Sequence, residues 1–448
     1  MTGNGTGRQT GLAAEKTRKS RVRETKRIRK DDRARMAVRN LEPAAGGGRA
    51  VRLVLSGYYG FGNSGDEAVL LAILQALDEA GRSRGLRIEP VVLSGDPAWT
   101  ERQYGVEAVP RMRPDAVRRA LRGADGLVSG GGSLLQDATG LGSIPYYLGV
   151  IEAALRLGKP AFVYAQGIGP VRRRFFRPLI ARAFNRCAYV SVRDDESAAA
   201  LKEYGVHPDR IEVVPDPVMG LSDGGEQSVP AGKESLAAES RAEARRAEPA
   251  LVGVSVRFWR DDRTDLDRVA DALAALARTH PVRYRFLPMH RGSDEEASRY
   301  VMARLERLMG GGTPGGATAT DGPPTASPAH GVPGLELAPA HDDPREMLRE
   351  AGACRLLVGM RLHALIYAAN RMVPMLGISY DPKIDRFLAG IGQSPAGTTE
   401  ELEPRRFARE AAKLLDDPDG WRRAAEPGIA RFAEAATRPA QQIASYFV

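Results

Sequence analysis

The chain has 448 residues, 43% of them hydrophobic, and a formal net charge of +9. At about 100–200 residues per domain this length points to two globular domains, and no apolar run approaches the roughly eighteen residues that would span a membrane. No apolar segment follows the charged N-terminus in signal-peptide fashion, and the two cysteines, Cys187 and Cys354, sit in apolar contexts that suit packed thiols in a reducing compartment better than a disulfide framework or a metal site.

The charge is unevenly placed. Residues 1–50 hold 14 Lys/Arg against 5 Asp/Glu, which accounts for the whole excess and leaves 51 of each sign in the rest. Such a tail has too few large apolar residues to bury a core. It is expected to be a solvated leader, with attraction to an anionic membrane surface as the sharper reading. Without interleaved aromatic residues in the tail, and with a neutral body, nucleic acid is not expected as a partner.

From Val51 onward, strand-like and helix-like segments alternate. "VRLVLS" leads through a glycine- and aromatic-rich loop into a helix over 66–80, whose stripe is Val69, Leu70, Ile73, Leu74 and Leu77. "IEPVVLS", "GLVSGGGS", "PAFVYAQG", "AYVSV" and "IEVVPD" follow, separated by helices near 114–122, 144–157, 173–186 and 194–204. After a polar insert a second series begins with "LVGVSV" and continues through "VRYRFLP", "LELAP", "RLLVG" and "VPMLGI". Uncharged strands alternating with helices predict parallel sheets covered on both faces. The expected organisation is a basic tail (1–50), a Rossmann-like domain (51–221), a linker or insert (222–249), a second Rossmann-like domain (250–398) containing a low-complexity loop (310–333), and C-terminal helices (399–448). Two such doubly wound α/β domains place ligands at the carboxyl ends of their strands, in the cleft between them.

Five strand ends carry residues suited to chemistry. "GYYGFGNSGDEAVL" presents Asn63 and Asp66 at a helix start. "SGGGSLLQD" offers Gly131 and Gly132, whose backbone can approach a ligand closely. "SVRDDES" places Arg193 at a strand end, where Asp194 or Glu196 could equally pair with it, and "SVRFWRDD" does the same for Arg257. "VGMRLHALIYAANR" puts Arg361 and His363 at a strand-to-helix turn. Two residues apart in a regular helix they would diverge by about 200°, so they can meet one ligand only if Arg361 is still in the loop. Lys383 follows the next strand. Arginine clamps carboxylate or phosphate with paired hydrogen bonds and lysine adds a point charge, so convergence of Arg193, Arg361 and Lys383 would suit a small polyanion. No metal-ligand spacing, no G-x-x-x-x-G-K-[ST] and no G-x-S-x-G is found, and a metal-free site is expected.

Taken together, "SGYYGFGNSGDEAVL", "GGGSLLQD", "YAQGIGP", "SVRDDES" and "GMRLHALIYA" resemble the polysaccharide pyruvyltransferase family, most closely its bacterial CsaB-type branch. The resemblance spans about residues 51–395; the tail and the two inserts fall outside it. It implies a glycosyltransferase-B-like fold and transfer of the pyruvyl group of phosphoenolpyruvate to two hydroxyls of one sugar as a cyclic ketal, with no cofactor. In that branch the acceptor is expected to be an N-acetylmannosamine unit of a lipid-linked oligosaccharide at the inner membrane face. Pyruvylated wall polymer then anchors surface-layer proteins. The resemblance implies phosphoenolpyruvate contacts from Arg361 and His363, with Lys383, Arg193 and Arg257 as further cations. Asn63, Asp66, Gly131, Gly132 and Gln166 form the expected acceptor side, and Asp66 and His363 are the expected catalytic pair. A negative charge in a glycine-rich loop fits sugar hydroxyls rather than phosphate; otherwise Asp66 would be a favourable charge at a helix N-terminus. On this reading Arg361→Ala and His363→Ala abolish turnover without altering the melting profile. A glycosyltransferase using a nucleotide-sugar donor is the alternative enzyme, with Asp381 or Asp385 available to a ribose; a non-catalytic membrane-surface scaffold is the alternative of another class.

Overall fold

The computed structural model describes residues 48–137, 140, 142–222, 248–310 and 334–448. Residues 1–47 of the expected leader, most of the insert and all but the first residue of the low-complexity loop lie outside these residues, and Arg49 and Ala50 belong to the first strand. The first sheet is built from β1 (Arg49–Tyr59), β2 (Leu86–Ser94), β3 (Glu107–Pro110), β4 (Gly126–Gly130), β5 (Ala161–Gln166), β6 (Tyr189–Val192) and β7 (Ile211–Val213), in the order β3-β2-β1-β4-β5-β6-β7. The second contains β8 (Ala250–Ser255), β9 (Val282–Phe286), β10 (Leu335–Leu337), β11 (Leu356–Gly359), β12 (Met375–Ser379) and β13 (Gly397–Thr398), in the order β10-β9-β8-β11-β12-β13. All neighbouring strands run parallel. The strand order reverses between β1 and β4 and again between β8 and β11, and these switch points open the two crevices where a doubly wound fold binds ligands.

The strands read as uninterrupted apolar runs because helices cover both faces: β4, β5 and β8 are buried at every residue. Helix α1 (Ser64–Arg82) begins at Asn63, whose side-chain oxygen accepts from the Gly65 N–H at 3.1 Å. Its stripe Val69, Leu70, Ile73, Leu74 and Leu77 is buried as expected. Helix α2 (Pro97–Tyr104) and strand β3 were not legible. The helix is short and mostly polar, capped by Asp96 accepting from the Trp99 N–H at 3.0 Å, and β3 is an edge strand of four residues ending in proline. On the other face lie α3 (Pro114–Arg122), α4 (Ser143–Arg156), α5 (Phe176–Phe184) and α6 (Asp195–Tyr204). Both cysteines are free and buried.

In the second half, α7 (Thr264–Ala277) and α8 (Ser293–Met309) precede α9 (Pro344–Gly352), α10 (Leu362–Asn370) and α11 (Pro382–Gly390). Helices α12 (Pro404–Asp416) and α13 (Pro418–Tyr446) end the chain. The final helix returns to the first sheet: Tyr164 donates to the Ala436 carbonyl at 3.2 Å, Arg49 donates to the Phe447 carbonyl at 3.1 Å, and the Phe447 ring lies 5.9 Å from that of Phe162. The C-terminal segment is therefore packed against β5 rather than confined to the second domain. No helix among the described residues is long and apolar enough to cross a membrane.

Candidate active site

The two switch points face each other across the start of α1. Ser64 N–H donates to the Met289 carbonyl at 3.2 Å, Asn63 bridges to His290, and the Tyr367 hydroxyl donates to the Ser64 carbonyl at 3.1 Å. Gly65 is glycine for a steric reason: a Cβ there would stand 2.4 Å from Nδ1 of His363. The imidazole from α10 thus lies directly on the first turn of α1, one residue from Asp66.

The loop before α1 is held by Glu67, which is fully buried and accepts from the N–H groups of Gly60 (2.8 Å) and Phe61 (3.3 Å) and from the Tyr104 hydroxyl (3.0 Å). The acidic pair therefore splits its work. Glu67 builds the loop, and Asp66 faces the site, its Oδ2 accepting from Asn63 Nδ2 at 2.6 Å. Burial, then the charge of Glu67, pushes the Asp66 carboxyl up to about 7; Arg193 opposes this and Asp216 adds to it. A Cβ on Gly132 would approach Asp66 Oδ1 to 3.0 Å, and one on Gly131 would stand 1.9 Å from Val69, so the glycine turn after β4 lets α1 and Asp66 pack close. Both glycines have positive φ, 73° and 78°.

Arg193, at the end of β6, donates to Ser133 Oγ at 2.5 Å and lies 3.7 Å from Asp194 and 3.8 Å from Asp216. Glu196 pairs instead with Arg386 of α11, an ion pair that joins the two domains. Asp216 escaped the sequence reading, although "VVPDPV" sits at a strand end like every other candidate. Its Oδ1 accepts from the Val218 N–H at 3.1 Å, while its Oδ2, the atom 3.8 Å from Arg193, makes no hydrogen bond and lies 3.8 Å from His363 Nε2, which also makes none among the described residues. At that separation the two do not hydrogen-bond, and they border a gap that one ligand oxygen would bridge. Burial lowers the His363 pKa; Asp216 works against that, and Arg193, Lys383 and Arg361 add to it. Three cations from both domains thus act on one imidazole.

Arg361 has extended backbone (φ −90°, ψ 123°) just before α10, which satisfies the condition for sharing a ligand with His363. Its guanidinium is also committed to a partner the sequence reading missed. Nε donates to the buried Asp294 at 2.9 Å and Nη2 completes a bidentate pair, while Asp294 also accepts from the N–H groups of Met289 (3.2 Å) and His290 (3.0 Å). Nη1 has no protein partner among the described residues. An Arg361→Ala change therefore strands a buried carboxylate, and its melting profile cannot stay normal as the sequence reading expected. Lys383 lies in the first turn of α11, not in a loop, 3.0 Å from Asp381. Burial would raise the Asp381 carboxyl, but Lys383, and then Arg193, hold it below its ordinary value. Tyr380 gathers two cations: Arg257 donates to its hydroxyl at 3.2 Å and Lys383 stands 5.7 Å from its ring.

Gln166 is different. It is fully enclosed at the end of β5, neither amide atom has a partner among the described residues, and Ala165 before it has φ of 44°. It lies beneath the site wall and presents nothing to the cleft. The described residues hold no group of three or more His, Cys, Asp or Glu arranged for a metal ion.

A family profile for polysaccharide pyruvyl transferases matches residues 63–382, from Asn63 through Pro382, and so includes all of this constellation but Lys383. The chain belongs to the polysaccharide pyruvyl transferase family. It is accordingly an enzyme of the pyruvyltransferase class with a polysaccharide acceptor. No curated protein matches this pyruvyltransferase in sequence. Among solved structures it is similar to UDP-GlcNAc 2-epimerase from Neisseria meningitidis bound to UDP-GlcNAc, at 10% identity over 89% of this chain and 100% of that one, with a TM-score of 0.56. HepE of Anabaena in complex with UDP and glucose gives 13% identity, 89% and 99% coverage and a TM-score of 0.54. A putative UDP-N-acetylglucosamine 2-epimerase from Listeria monocytogenes gives 14%, 89% and 97%, and 0.54. At such identities the likeness concerns the fold, which is that of glycosyltransferase-B-like enzymes.

Proposed function

We propose that this pyruvyltransferase takes phosphoenolpyruvate as donor and forms a cyclic ketal on two hydroxyls of one sugar in a cell-wall polysaccharide precursor. The observation that carries the reading is the contact of His363 with the first turn of α1, which sets an imidazole ringed by Arg193, Arg361 and Lys383 beside a carboxyl whose pKa is about 7. Phosphoenolpyruvate carries a carboxylate and a phosphate on three carbons, and a donor with two anionic groups calls for more than one cation. Protonation at C3 makes C2 electrophilic. The first sugar hydroxyl adds there as its proton passes to a base, phosphate leaves with the C–O electron pair, and the second hydroxyl closes the ketal as its proton passes to the departed phosphate.

Asp66 fits the base: at a pKa of about 7 it is part ionised at neutral pH and can take and return a proton. Burial lowers the His363 pKa, and an arriving phosphate dianion would raise it and make His363 the acid or phosphate partner. Asp216, Asp294 and Asp381 balance the cations until the donor displaces them. Arg193 acts on both Asp66 and His363, which supports one shared site for donor and sugar.

The finer assignment, an N-acetylmannosamine unit of a lipid-linked precursor whose pyruvylation anchors surface-layer proteins, is supported by the motif resemblance to the CsaB-type branch. The test is thermal-shift stabilisation by phosphoenolpyruvate against a panel of UDP-sugars, followed by phosphate release with oligosaccharide acceptors. Stabilisation by phosphoenolpyruvate with acceptor-dependent phosphate release is expected; stabilisation by UDP-sugars alone would replace the reading with a glycosyltransferase.

A further inference from the structure

Outside this site a groove of about 570 Å³ lies between α3 and α4, within the volume range of roughly 300–1,000 Å³ of ligand sites. It follows α4 from Pro145 to Leu157, about 18 Å at 1.5 Å per residue. Its floor is apolar, formed by Val117, Val150 and the ring of Tyr146, and Met112 stands 74% exposed at its edge. Gly149 opens its middle: a Cβ there would meet nothing within 4 Å. Glycine weakens a helix interior relative to alanine, and α4 has no packing reason to keep it.

The near end of the groove adjoins the loop before α1 through Arg111. The guanidinium of Arg111 lies 4.4 Å from the Tyr146 ring and 5.3 Å from Phe61, and it donates to the Gly57 carbonyl at 2.7 Å and to the Tyr147 hydroxyl at 3.1 Å. Tyr147 in turn feels the charge of Asp66. Tyr58 and Phe61, stacked at 4.2 Å and both more than 40% exposed, lead from there to the start of α1. The groove is charged with one sign. Arg111, Arg118 and Arg156 line it and no carboxylate does; Arg118 makes no ion pair among the described residues.

We infer that this groove binds the hydrocarbon chain of a polyprenyl-phosphate-linked saccharide, with the anionic linkage toward Arg111 and Arg118 and the sugar led over Tyr58 and Phe61 to Asp66. The assignment rests on the proposed acceptor reading. The chemistry favours this occupant over others: free phosphate leaves the apolar floor unused, and the chain's own basic tail is repelled by the arginines.

Titration calorimetry of the full chain with farnesyl diphosphate, inorganic diphosphate and the shorter geranyl diphosphate tests it. Farnesyl diphosphate is expected to saturate one site per chain and to bind more tightly than the geranyl compound, since each further buried methylene is worth about fourfold in affinity. Gly149→Trp fills the groove and should weaken farnesyl diphosphate at least about tenfold with an unchanged melting profile. Arg118→Glu should weaken it as well, and gives the same reading if the tryptophan variant does not fold. Equal affinity in wild type and both variants, affinity no better than for inorganic diphosphate, or no binding would each overturn the inference. Groove-dependent binding without any phosphoenolpyruvate-dependent transfer would leave the groove assigned and remove the pyruvyl-transfer reading instead.

Discussion

Asp66 and Glu67 are adjacent in the first turn of α1, Glu67 fully buried and Asp66 partly so, yet only one is arranged for chemistry. Glu67 spends its oxygens on the loop N–H groups and on Tyr104, whereas Asp66 receives a single side-chain donor, Asn63. Its pKa of about 7 has a consequence for stability. Because the folded value lies above the unfolded one, burial of Asp66 costs nothing below about pH 4, and stability is lost progressively as pH rises from there through about 7. Asp66→Asn should therefore raise Tm relative to wild type by more at about pH 8 than at about pH 5, while lowering kcat/KM by about 10²–10⁴ and removing the acid limb of its pH profile. Thermal melts and initial rates across pH check both; a pH-independent Tm difference would mean Asp66 does not titrate in this range. Arg361 calls for a different experiment. Arg361→Ala leaves Asp294 buried without its cation and should destabilise by about 3–5 kcal/mol as well as abolish turnover. A double-mutant cycle with Asp294→Asn should show coupling of about 0.5–3 kcal/mol in denaturant unfolding, and additivity would dissolve the pair.

At the scale of elements, the glycine turn after β4 decides how near α1 can come. Gly131→Ala places a methyl group against Val69 at a φ of 73° and should destabilise by about 1–3 kcal/mol in urea unfolding, with partial recovery in the Gly131→Ala/Val69→Ala double variant. Recovery identifies the contact as steric; none would assign the loss to backbone strain. The parallel strands, α1 with Asp66 in its first turn, and the positions of Asn63, Arg193 and Arg361 just past strand ends were legible in sequence, because buried strands are continuous apolar runs and each chemistry-bearing residue follows one. Strand β3 and α2 were not, being short and partly exposed. Asp216 and Asp294 were missed for another reason. Asp216 faces His363 across the domain boundary and Asp294 faces Arg361 from another helix of the same domain, and nothing local in "VVPDPV" or "RGSDEE" names those partners. Gln166 is expected at the acceptor from its place in "YAQGIGP", and its side chain is fully buried without a hydrogen-bond partner among the described residues, next to the positive φ of Ala165.

For the whole molecule, the site exists only when the two sheets are apposed. Asn63, Ser64 and Gly65 contact the second domain directly, Asn370 donates to the Val218 carbonyl at 2.6 Å, and α13 runs back to cover β5. The basic tail, outside the described residues, bears on where such an enzyme works. If it holds the protein at anionic lipid, co-sedimentation with phosphatidylserine vesicles should fall by at least about tenfold on deletion of residues 1–50, at roughly 1 kcal/mol per basic residue near the surface; equal binding by both forms would remove that role. The central claim, that cations from both domains hold a small dianion against His363 beside Asp66, is tested most directly by a crystal structure with phosphoenolpyruvate. Its phosphate and carboxylate should be found within hydrogen-bond reach of Arg361, Lys383 and Arg193, with C2 facing Asp66. Phosphoenolpyruvate ordered elsewhere on the chain, or absent from the cleft at saturating concentration, would contradict the account.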